Sequence, residues 1–303
     1  MLALGRPLTY EETYQMIIDA HIHLWNPLRG DGRGVEREAL GWGLARQGDR
    51  TFYVTPPAFE DSQSTYERAL AHMDWLGIER AVVLQELMDG KQDDYLAQVR
   101  RECPTRFSCM ALFDRHTYEE PMLAFAEAIE NRGLQGYLVK TPDPFADIAQ
   151  SRLLPLWEAC AERGLPVVLK NGDPMDLRKL ITAVPDLKLV LSHFGGAIGS
   201  GEGYPERLAI AADAENVILD SGGLTYLRKY PWSETVEQFH EAVERIGAEK
   251  IAWGSDYPRP PLVADVSYKQ QVEFITELCT FLSDEQREQI LSGTALRVYQ
   301  WDA

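Results

Sequence analysis

The sequence predicts a single (β/α)₈ barrel, and three observations support this fold class. Short apolar segments of strand length alternate with helix-like segments along most of the 303 residues. Such alternation forms βαβ units with a parallel sheet, and eight strands in repeats of roughly 25–35 residues suit a closed barrel. The first strand is not followed by the Gly-rich phosphate loop that the rival open, doubly wound sheet normally carries.

The elements of this barrel can be placed along the chain from the apolar runs and from the Gly and Pro residues between them. We predict strands at residues 17–22, 79–86, 106–112, 134–140, 166–171, 187–193, 216–221 and 250–256. Helix-like segments cover residues 64–76, 92–102, 119–132, 151–163, 174–184 and 234–247. A last helix is predicted from Ser283 to Gln300, because Ser283 and Gln286 have the spacing of a capping box.

Residues 26–63 form a long Gly-, Pro- and Arg-containing insertion between the first strand and the first helix. Loops that leave the carboxyl ends of barrel strands lie on the active-site face, so the insertion is expected to cover the pocket. A solvated surface loop is an equally good interpretation. No domain boundary is evident, and residues 1–303 are predicted to form one barrel domain.

The composition argues against several classes of function. A net charge of −17, from 30 Lys and Arg against 47 Asp and Glu, disfavours nucleic acid and anionic membranes as partners. The four cysteines form no CxxC pair, which is typical of a reducing compartment. The chain shows neither a signal-peptide core nor a run long enough to span a bilayer. We expect a cytoplasmic protein that binds a small molecule, and a homo-oligomer is compatible with its aromatic residues.

Polar residues occur at the carboxyl ends of several predicted strands. His21 and His23 end the first strand, and they share a face because side chains alternate along a strand. Two such imidazoles can coordinate one divalent cation or hydrogen-bond a substrate carbonyl or carboxylate. Taken alone, an HxH pair is a weak signal that is better explained by a structural role.

Three further strand ends strengthen the functional interpretation. Lys170, His193 and Asp256 lie at the ends of the predicted fifth, sixth and eighth strands. Because the carboxyl ends of barrel strands meet at one mouth, we expect these side chains to form a single active site. Lys140 and Lys170 lie on adjacent strands, where two ammonium groups favour an anionic substrate and lower each other's pKa.

The segments IIDAHIHLW, LVLSHFGG, IAWGSDYP and LSGTALRVY resemble motifs of the amidohydrolase superfamily, most closely its amidohydrolase-2 group of TIM-barrel, metal-dependent hydrolases. The resemblance extends from about residue 17 to residue 300. It implies that His21, His23 and Asp256 bind or surround one divalent metal, zinc or manganese. It also implies that Asp256 is the general base for the hydrolytic water, and that His193 binds metal or polarises the substrate.

Two positions depart from the family pattern. Thr294-Ala295 replaces a usual Asn-Ala, and Lys170 stands where many metal-containing members have a histidine ligand. An unmodified lysine is a cation that repels a metal. Lys170 could be carbamylated and ligate metal, could replace the metal's charge, or could pair with an acid such as Asp173. We favour the second possibility, in which the ammonium group of Lys170 supplies the positive charge that a metal would otherwise supply. A metal-free site is therefore the alternative to a site that binds one divalent metal.

The resemblance implies hydrolysis at a carbonyl, most closely that of lactonases acting on sugar lactones or aromatic-breakdown lactones. Catalytic roles are predicted for Asp256, His193 and Lys170. Substrate-binding roles are predicted for Lys140, Arg259, Tyr257 and Trp25. A metal-dependent decarboxylase of an aromatic or muconate-type acid is an alternative, which the missing fifth-strand histidine disfavours. A non-catalytic binding barrel is a third, which both first-strand histidines and Asp256 argue against.

Overall fold

The chain folds into eight successive strand–helix repeats. The computed structural model describes residues 16–30, 36–140, 148–170, 172–196, 203–226, 228–258 and 267–302. The barrel strands are β1 (Ile17–Ile22), β2 (Ile78–Val83), β3 (Phe107–Cys109 with Ala111–Leu112), β4 (Tyr137–Lys140), β5 (Val167–Lys170), β6 (Leu189–Leu191), β7 (Val217–Asp220) and β8 (Ile251–Ala252). Each lies within one residue of a segment that the sequence predicts to be a strand.

The strands pair in parallel and in sequence order around a ring. β1 pairs with β2 and β2 with β3, and a second run of pairs continues from β3 through to β8. The ring is completed between β8 and β1, where the Ala20 N–H donates to the Trp253 carbonyl at 2.8 Å. Just beyond β8, the Asp256 N–H donates to the His21 carbonyl at 2.8 Å. The predicted (β/α)₈ barrel is confirmed.

The interior of the barrel is filled by one buried apolar cluster to which all eight strands contribute. Residues of the carboxyl-terminal helix belong to the same cluster and close one end of the barrel. The strand residues are Ile18, Ala20, Val82, Leu84, Met110, Leu138, Val168, Val190, Ile218 and Ala252. A packed interior of this kind leaves the opposite mouth as the place for a binding site.

The helices that follow the strands cover the outside of the barrel. They comprise Tyr66–Leu76, Asp93–Glu102, Arg115–Glu119, Pro121–Phe125, Leu154–Glu162, Pro174–Ala183, Tyr204–Asp213, Ser233–Ile246 and Tyr268–Glu273. Wider π-helical turns extend two of them over Ala126–Asn131 and Phe274–Leu278. None of the helices in the part of the chain that is described is long and apolar enough to cross a membrane.

The predicted helix at 119–132 begins earlier in the structure and is divided in two. Asp114 forms a capping box with Thr117 and starts the helix Arg115–Glu119. A second helix starts at Pro121, because proline cannot donate to the preceding turn and disfavours helical backbone at the residue before it. The capping box at Ser283 and Gln286 is confirmed, and it begins a helical run through Asp284–Glu288, Gln289–Gly293 and Thr294–Val298.

The insertion after β1 contains a three-stranded antiparallel sheet. The sequence had been interpreted as a loop in this region, so the sheet was not predicted. Its strands are Arg37–Gly41, Leu44–Gln47 and Arg50–Tyr53. The insertion packs on the end of β1, since Trp25 and Ser64 exchange backbone hydrogen bonds and the Ser64 hydroxyl donates to the His23 carbonyl at 2.8 Å. The sheet is therefore tied directly to the strand that carries the paired histidines.

Candidate metal centre and active site

A change of strand register aims His21 and His23 at the barrel mouth. Ile18 and Ala20 belong to the barrel interior, whereas Ile22 packs in the outer core between strands and helices. The pairing of β1 with β2 shifts between Asp19 and Ile22, and such irregularities next to active sites re-aim side chains. The two imidazoles consequently face the mouth together, with ring centroids 5.1 Å apart.

Backbone carbonyls fix the tautomers of two of the three mouth histidines. His23 Nδ1 lies 2.9 Å from the Leu84 carbonyl oxygen, and His193 Nδ1 lies 2.9 Å from the Gly222 carbonyl oxygen. A carbonyl oxygen only accepts, so Nδ1 carries the proton and donates in both rings. The lone pair of each neutral imidazole is then on Nε2.

Asp220, at the end of β7, orients the third histidine. Its Oδ1 atom accepts from the backbone N–H groups of Gly222 and His193, at 2.9 and 3.2 Å, and lies 2.9 Å from His21 Nδ1. His21 therefore also donates from Nδ1 and presents Nε2. A Cβ atom at Gly222 would lie 2.3 Å from His21 Nδ1, so only glycine allows this close approach.

The Nε2 atoms converge on the carboxylate of Asp256. Oδ1 of Asp256 lies 2.7 Å from His23 Nε2 and 3.5 Å from His21 Nε2. Nε2 of both His21 and His193 is buried and has no hydrogen-bond partner among the described residues. The rings of His21 and His193 are 4.9 Å apart between centroids. Together these residues form a buried cluster of acceptor atoms.

This donor set fits a divalent metal ion. An unprotonated Nε2 and a carboxylate oxygen are both acceptors, so their 2.7 Å approach at His23 and Asp256 calls for a cation between them, either a proton on Nε2 or a metal ion. Ligand atoms of His21, His23 and Asp256 all lie within 4.8 Å of one another. Imidazole nitrogen and carboxylate oxygen are ordinary ligands for zinc and manganese, and Nδ1 hydrogen bonds are the usual outer support of metal-binding histidines.

Burial and neighbouring charges set the protonation of the cluster. Burial, with the charge of Lys170, lowers the pKa of His193 to about 3, so this imidazole is neutral at pH 7. Burial also opposes the charged form of His21, but the carboxylates of Asp220 and Asp256 outweigh it and raise its pKa. Burial disfavours an ionised Asp256 as well, yet the His23 hydrogen bond and the nearby histidines hold its pKa well below the usual range.

The backbone at the mouth is held in uncommon conformations. Asp256 has φ +63°, and both His193 and Phe194 have φ +53°, values that non-glycine residues rarely adopt. The carbonyl of Asp256 accepts a hydrogen bond from the Tyr226 hydroxyl at 2.9 Å. Such strain persists only where surrounding contacts enforce it, and it is often found at functional sites.

Lys140 and Lys170 are direct neighbours, as strand order predicts, in the register of β4 and β5. Both ammonium groups pair with Glu86, a buried residue that follows β2. Lys140 Nζ lies 3.3 Å from Oε2, and Lys170 Nζ pairs with Oε1. A carbamate on Lys170 would place an anion against this carboxylate, so the pairing favours an ammonium group. Asp173 instead caps the helix Pro174–Ala183.

The remaining predicted site residues occupy different environments. Tyr257 follows Asp256, but it is buried and its hydroxyl lies 2.8 Å from His72 Nδ1. Trp25 has no exposed surface and donates from Nε1 to the Ser62 carbonyl, which differs from the pocket-lining position expected for it. Arg259 lies outside the described residues.

Two acidic residues make contacts in the structure that the sequence did not predict. Asp220 orients His21, although in the sequence it is only a carboxylate that ends the apolar strand VILD. Glu86 lies just beyond β2, and the structure places its carboxylate between two lysines. The available signal was their position, because Asp220 ends a buried barrel strand and Glu86 lies a few residues beyond the end of another.

Residues 18–301 match the family model described as Amidohydrolase, so the chain belongs to this amidohydrolase family. No match was found among the curated proteins.

Several solved structures share the fold. An amidohydrolase from Burkholderia multivorans with bound zinc is 17% identical, with a TM-score of 0.68 over 95% of this chain and 100% of that one. A probable 2-pyrone-4,6-dicarboxylic acid hydrolase from Acinetobacter baumannii with bound citric acid is 15% identical, with a TM-score of 0.65 over 93% and 98%. A dihydroxybenzoic acid decarboxylase from Polaromonas with bound manganese and an inhibitor is 19% identical, with a TM-score of 0.57 over 78% and 86%.

Proposed function

We propose that this amidohydrolase is a metal-dependent hydrolase acting at a carbonyl, and that its substrate is an anionic lactone. The observation that carries the proposal is the buried cluster at the barrel mouth. There, His21, His23 and His193 cluster with the carboxylate of Asp256, and Lys140 and Lys170 end two adjacent strands at the same mouth. Acceptor atoms suited to a metal and cations suited to an anion then occupy one site.

His21, His23 and Asp256 would hold the metal, with His193 as the adjoining imidazole. When bound, a divalent metal supplies Lewis-acid polarisation of the carbonyl and lowers the pKa of water. The chain contributes fixed imidazole tautomers, because each Nδ1 proton is committed to an acceptor. The tautomers therefore need no rearrangement when the metal binds.

Asp256 is assigned as the general base. Its low pKa keeps the carboxylate ionised at neutral pH, so it can accept the proton of the attacking water. His193 is neutral and its Nδ1 proton is donated to the Gly222 carbonyl. Its Nε2 atom can therefore accept a proton or bind a metal, but it cannot donate to a substrate carbonyl. Of the two roles that the resemblance implies for His193, metal binding is the better supported.

Lys170 and Lys140 are assigned to the substrate's anionic group. Their side chains keep 19% and 25% of their surface exposed, whereas the side chain of Glu86 is buried, so the lysines are the members of this cluster that solvent reaches. Charge-assisted hydrogen bonds to a carboxylate would orient the lactone against the histidine cluster. The hydrolase with bound citric acid, an anion, supports this choice of substrate charge.

Decarboxylation of an aromatic acid is the second candidate, because the same mouth provides a metal-compatible cluster and carboxylate-binding lysines. The missing fifth-strand histidine no longer counts against it, since four donor residues remain. A decarboxylase of this fold binds manganese. The two reactions differ in product, because a lactonase releases a proton and a decarboxylase releases carbon dioxide.

A panel of lactones with and without carboxylate groups, including 2-pyrone-4,6-dicarboxylate, tests the proposal. We expect proton release with anionic lactones, detected by a pH indicator, and no carbon dioxide from dihydroxybenzoates. Asp256→Asn should lower kcat by at least about a hundredfold, as loss of a general base does. Asp173→Asn is the matched control, because asparagine also caps a helix. Carbon dioxide release without lactone hydrolysis would instead establish the decarboxylase.

A further inference from the structure

Asp19 is a buried acid on the outer side of β1. Its neighbours Ile18 and Ala20 belong to the barrel interior, so the alternation of side chains along the strand directs Asp19 to the core between the strands and the helices. The residue has no exposed surface. A carboxylate in such a place is costly unless it accepts hydrogen bonds, so its partners show what it does there.

The pairing of β1 with the β8 segment is interrupted just before His21. The Ala20 N–H donates to the Trp253 carbonyl, and a regular parallel ladder would continue with the Ser255 N–H donating to the Ala20 carbonyl. The next backbone bond instead joins the Asp256 N–H to the His21 carbonyl at 2.8 Å. The pairing has therefore advanced by one residue on each of the two segments.

This one-residue shift determines which side chains of β1 reach the mouth. Residues of a strand that bond to the same neighbour point to the same face, and Ala20, which bonds to β8, faces the interior. After the shift, His21 and His23 make the bonds to this neighbour, since the His23 N–H donates to the Tyr257 carbonyl at 2.7 Å. Both imidazoles consequently lie on the inner face, whereas an unbroken ladder would direct them outwards.

Asp19 accepts two backbone N–H groups at the shift. Its Oδ1 atom accepts from the His21 N–H and from the Ser255 N–H, each at 3.0 Å. Its Oδ2 atom accepts from the Tyr268 hydroxyl at 2.7 Å. Because a buried N–H group without an acceptor is costly, the Asp19 carboxylate stabilises the shifted pairing.

Tyr268 contacts both segments that meet at the shift. Its hydroxyl bonds to Asp19 on β1, and its ring stacks on Tyr257, the residue after Asp256, with centroids 4.8 Å apart. Tyr268 is also the first residue of the helix Tyr268–Glu273. This helix is thereby joined to the two segments that carry the candidate metal ligands.

We propose that Asp19 and Tyr268 are positioning residues of the candidate metal centre. Asp19 fixes the one-residue shift that turns His21 and His23 to the mouth beside Asp256. Tyr268 holds the Asp19 carboxylate in the orientation that this requires. Both residues act through the backbone of the ligand-bearing segments. The inference rests on the proposed function, in which His21, His23 and Asp256 hold a divalent metal.

The zinc affinity of the full-length protein, freed of metal, tests this proposal without any turnover. Competition with a chromophoric chelator measures the affinity, and chemical denaturation measures the stability of each variant. Asp19→Ala removes the acceptor and should weaken zinc binding by at least about tenfold, as loss of an outer partner of a metal ligand does. Asp19→Asn retains an oxygen for both N–H groups and should keep most of the wild-type affinity.

Tyr268→Phe removes only the hydroxyl and retains the ring that stacks on Tyr257. It should weaken zinc binding by about tenfold, and it provides the test if Asp19→Ala does not fold. Tyr118→Phe is the matched control, because it removes a hydroxyl that donates to Gln150, and it should leave zinc affinity unchanged. Wild-type zinc affinity in either Asp19→Ala or Tyr268→Phe, with only the stability lowered, would indicate a merely structural role and overturn the proposal.

The positioning role and the proposed hydrolase fail in different ways. Weaker zinc binding in these variants, in a protein that hydrolyses no lactone, would contradict the hydrolase and retain the positioning role. Lactone hydrolysis by the wild type, with zinc affinity and kcat that the substitutions leave unchanged, would do the reverse.

Discussion

At the scale of single residues, Asp220 organises the candidate metal centre through one oxygen atom. Oδ1 accepts hydrogen bonds from His21 Nδ1 and from the backbone N–H groups of His193 and Gly222. It therefore fixes an imidazole ring and two backbone segments at once. Carboxylates that hold a metal-binding histidine in this manner raise the basicity of the ligand as well as fixing its orientation.

Asp220→Asn should weaken metal binding without removing any metal ligand. The amide oxygen is a weaker acceptor than a carboxylate, so we expect metal affinity to fall by about 10- to 100-fold. Competition with a chromophoric chelator measures this affinity independently of activity. Asp114→Asn is the control, since Asp114 caps a helix and pairs with Lys91. Equal metal affinity in the Asp220 variant and the wild type would remove Asp220 from the site.

Some residues of the site could be predicted from the sequence of a single strand, whereas others could not. His21, His23, His193 and Asp256 stand at strand ends with characteristic neighbouring residues, and they were predictable. The contact of Asp220 with His21 joins β7 to β1, and the contact of Glu86 with the lysines joins β2 to β4 and β5. Such pairings depend on side-chain reach across the mouth, which no local sequence pattern contains.

At the scale of elements, the insertion packs against the end of β1 and stabilises its position. Trp25 is fully buried with Leu28, Ala45 and Val54, and its backbone pairs with Ser64. Since Ser64 also bonds the His23 carbonyl, packing around Trp25 fixes the backbone of a candidate metal ligand. The insertion thus supports the site through β1.

Trp25→Phe separates this packing role from a contact with substrate. Loss of ring volume and of the Nε1 hydrogen bond should destabilise the protein by about 1–3 kcal/mol. Chemical denaturation measures the stability, and steady-state kinetics should give a KM near that of the wild type. A several-fold rise in KM at unchanged stability would identify Trp25 as a substrate-binding residue.

The insertion also shows why some elements were not predicted. Gly48-Asp49 is a two-residue hairpin signal between Leu44–Gln47 and Arg50–Tyr53. The flanking strands have the sequences LARQ and RTFY, which are too short to show the apolar alternation that identifies strands. The barrel strands are buried on both faces and appear as continuous apolar runs, which made them recognisable.

At the scale of the whole molecule, a buried acid beside the site makes stability depend on pH. Burial raises the pKa of Asp19 from 3.8 to about 6, against the opposing hydrogen bonds of Ser255, Tyr268 and His21. The folded protein binds this proton more tightly than the unfolded chain does. The contribution of Asp19 to stability is therefore largest below pH 3.8, falls between pH 3.8 and about 6, and is constant above that range.

Asp19→Asn should remove this dependence. Asparagine can still accept the backbone N–H groups of His21 and Ser255 on its oxygen. Relative to the variant, the wild type should lose up to about 3 kcal/mol of unfolding free energy as the pH rises through this window. Urea denaturation of both proteins at several pH values measures the difference. If the unfolding free energies of the wild type and the variant changed in parallel with pH, Asp19 would have the same pKa in the folded and the unfolded protein.

The barrel itself could be predicted because its eight repeats are all visible as apolar runs at regular spacing.

We propose that His21, His23 and Asp256 hold a divalent metal on which the reaction depends. Elemental analysis of the purified wild type, alongside a His21→Ala, His23→Ala double variant, tests it most directly. We expect about one equivalent of zinc or manganese per wild-type chain and little in the variant. A wild type that turns over its substrate with no bound metal, and that a chelator leaves fully active, would contradict the claim.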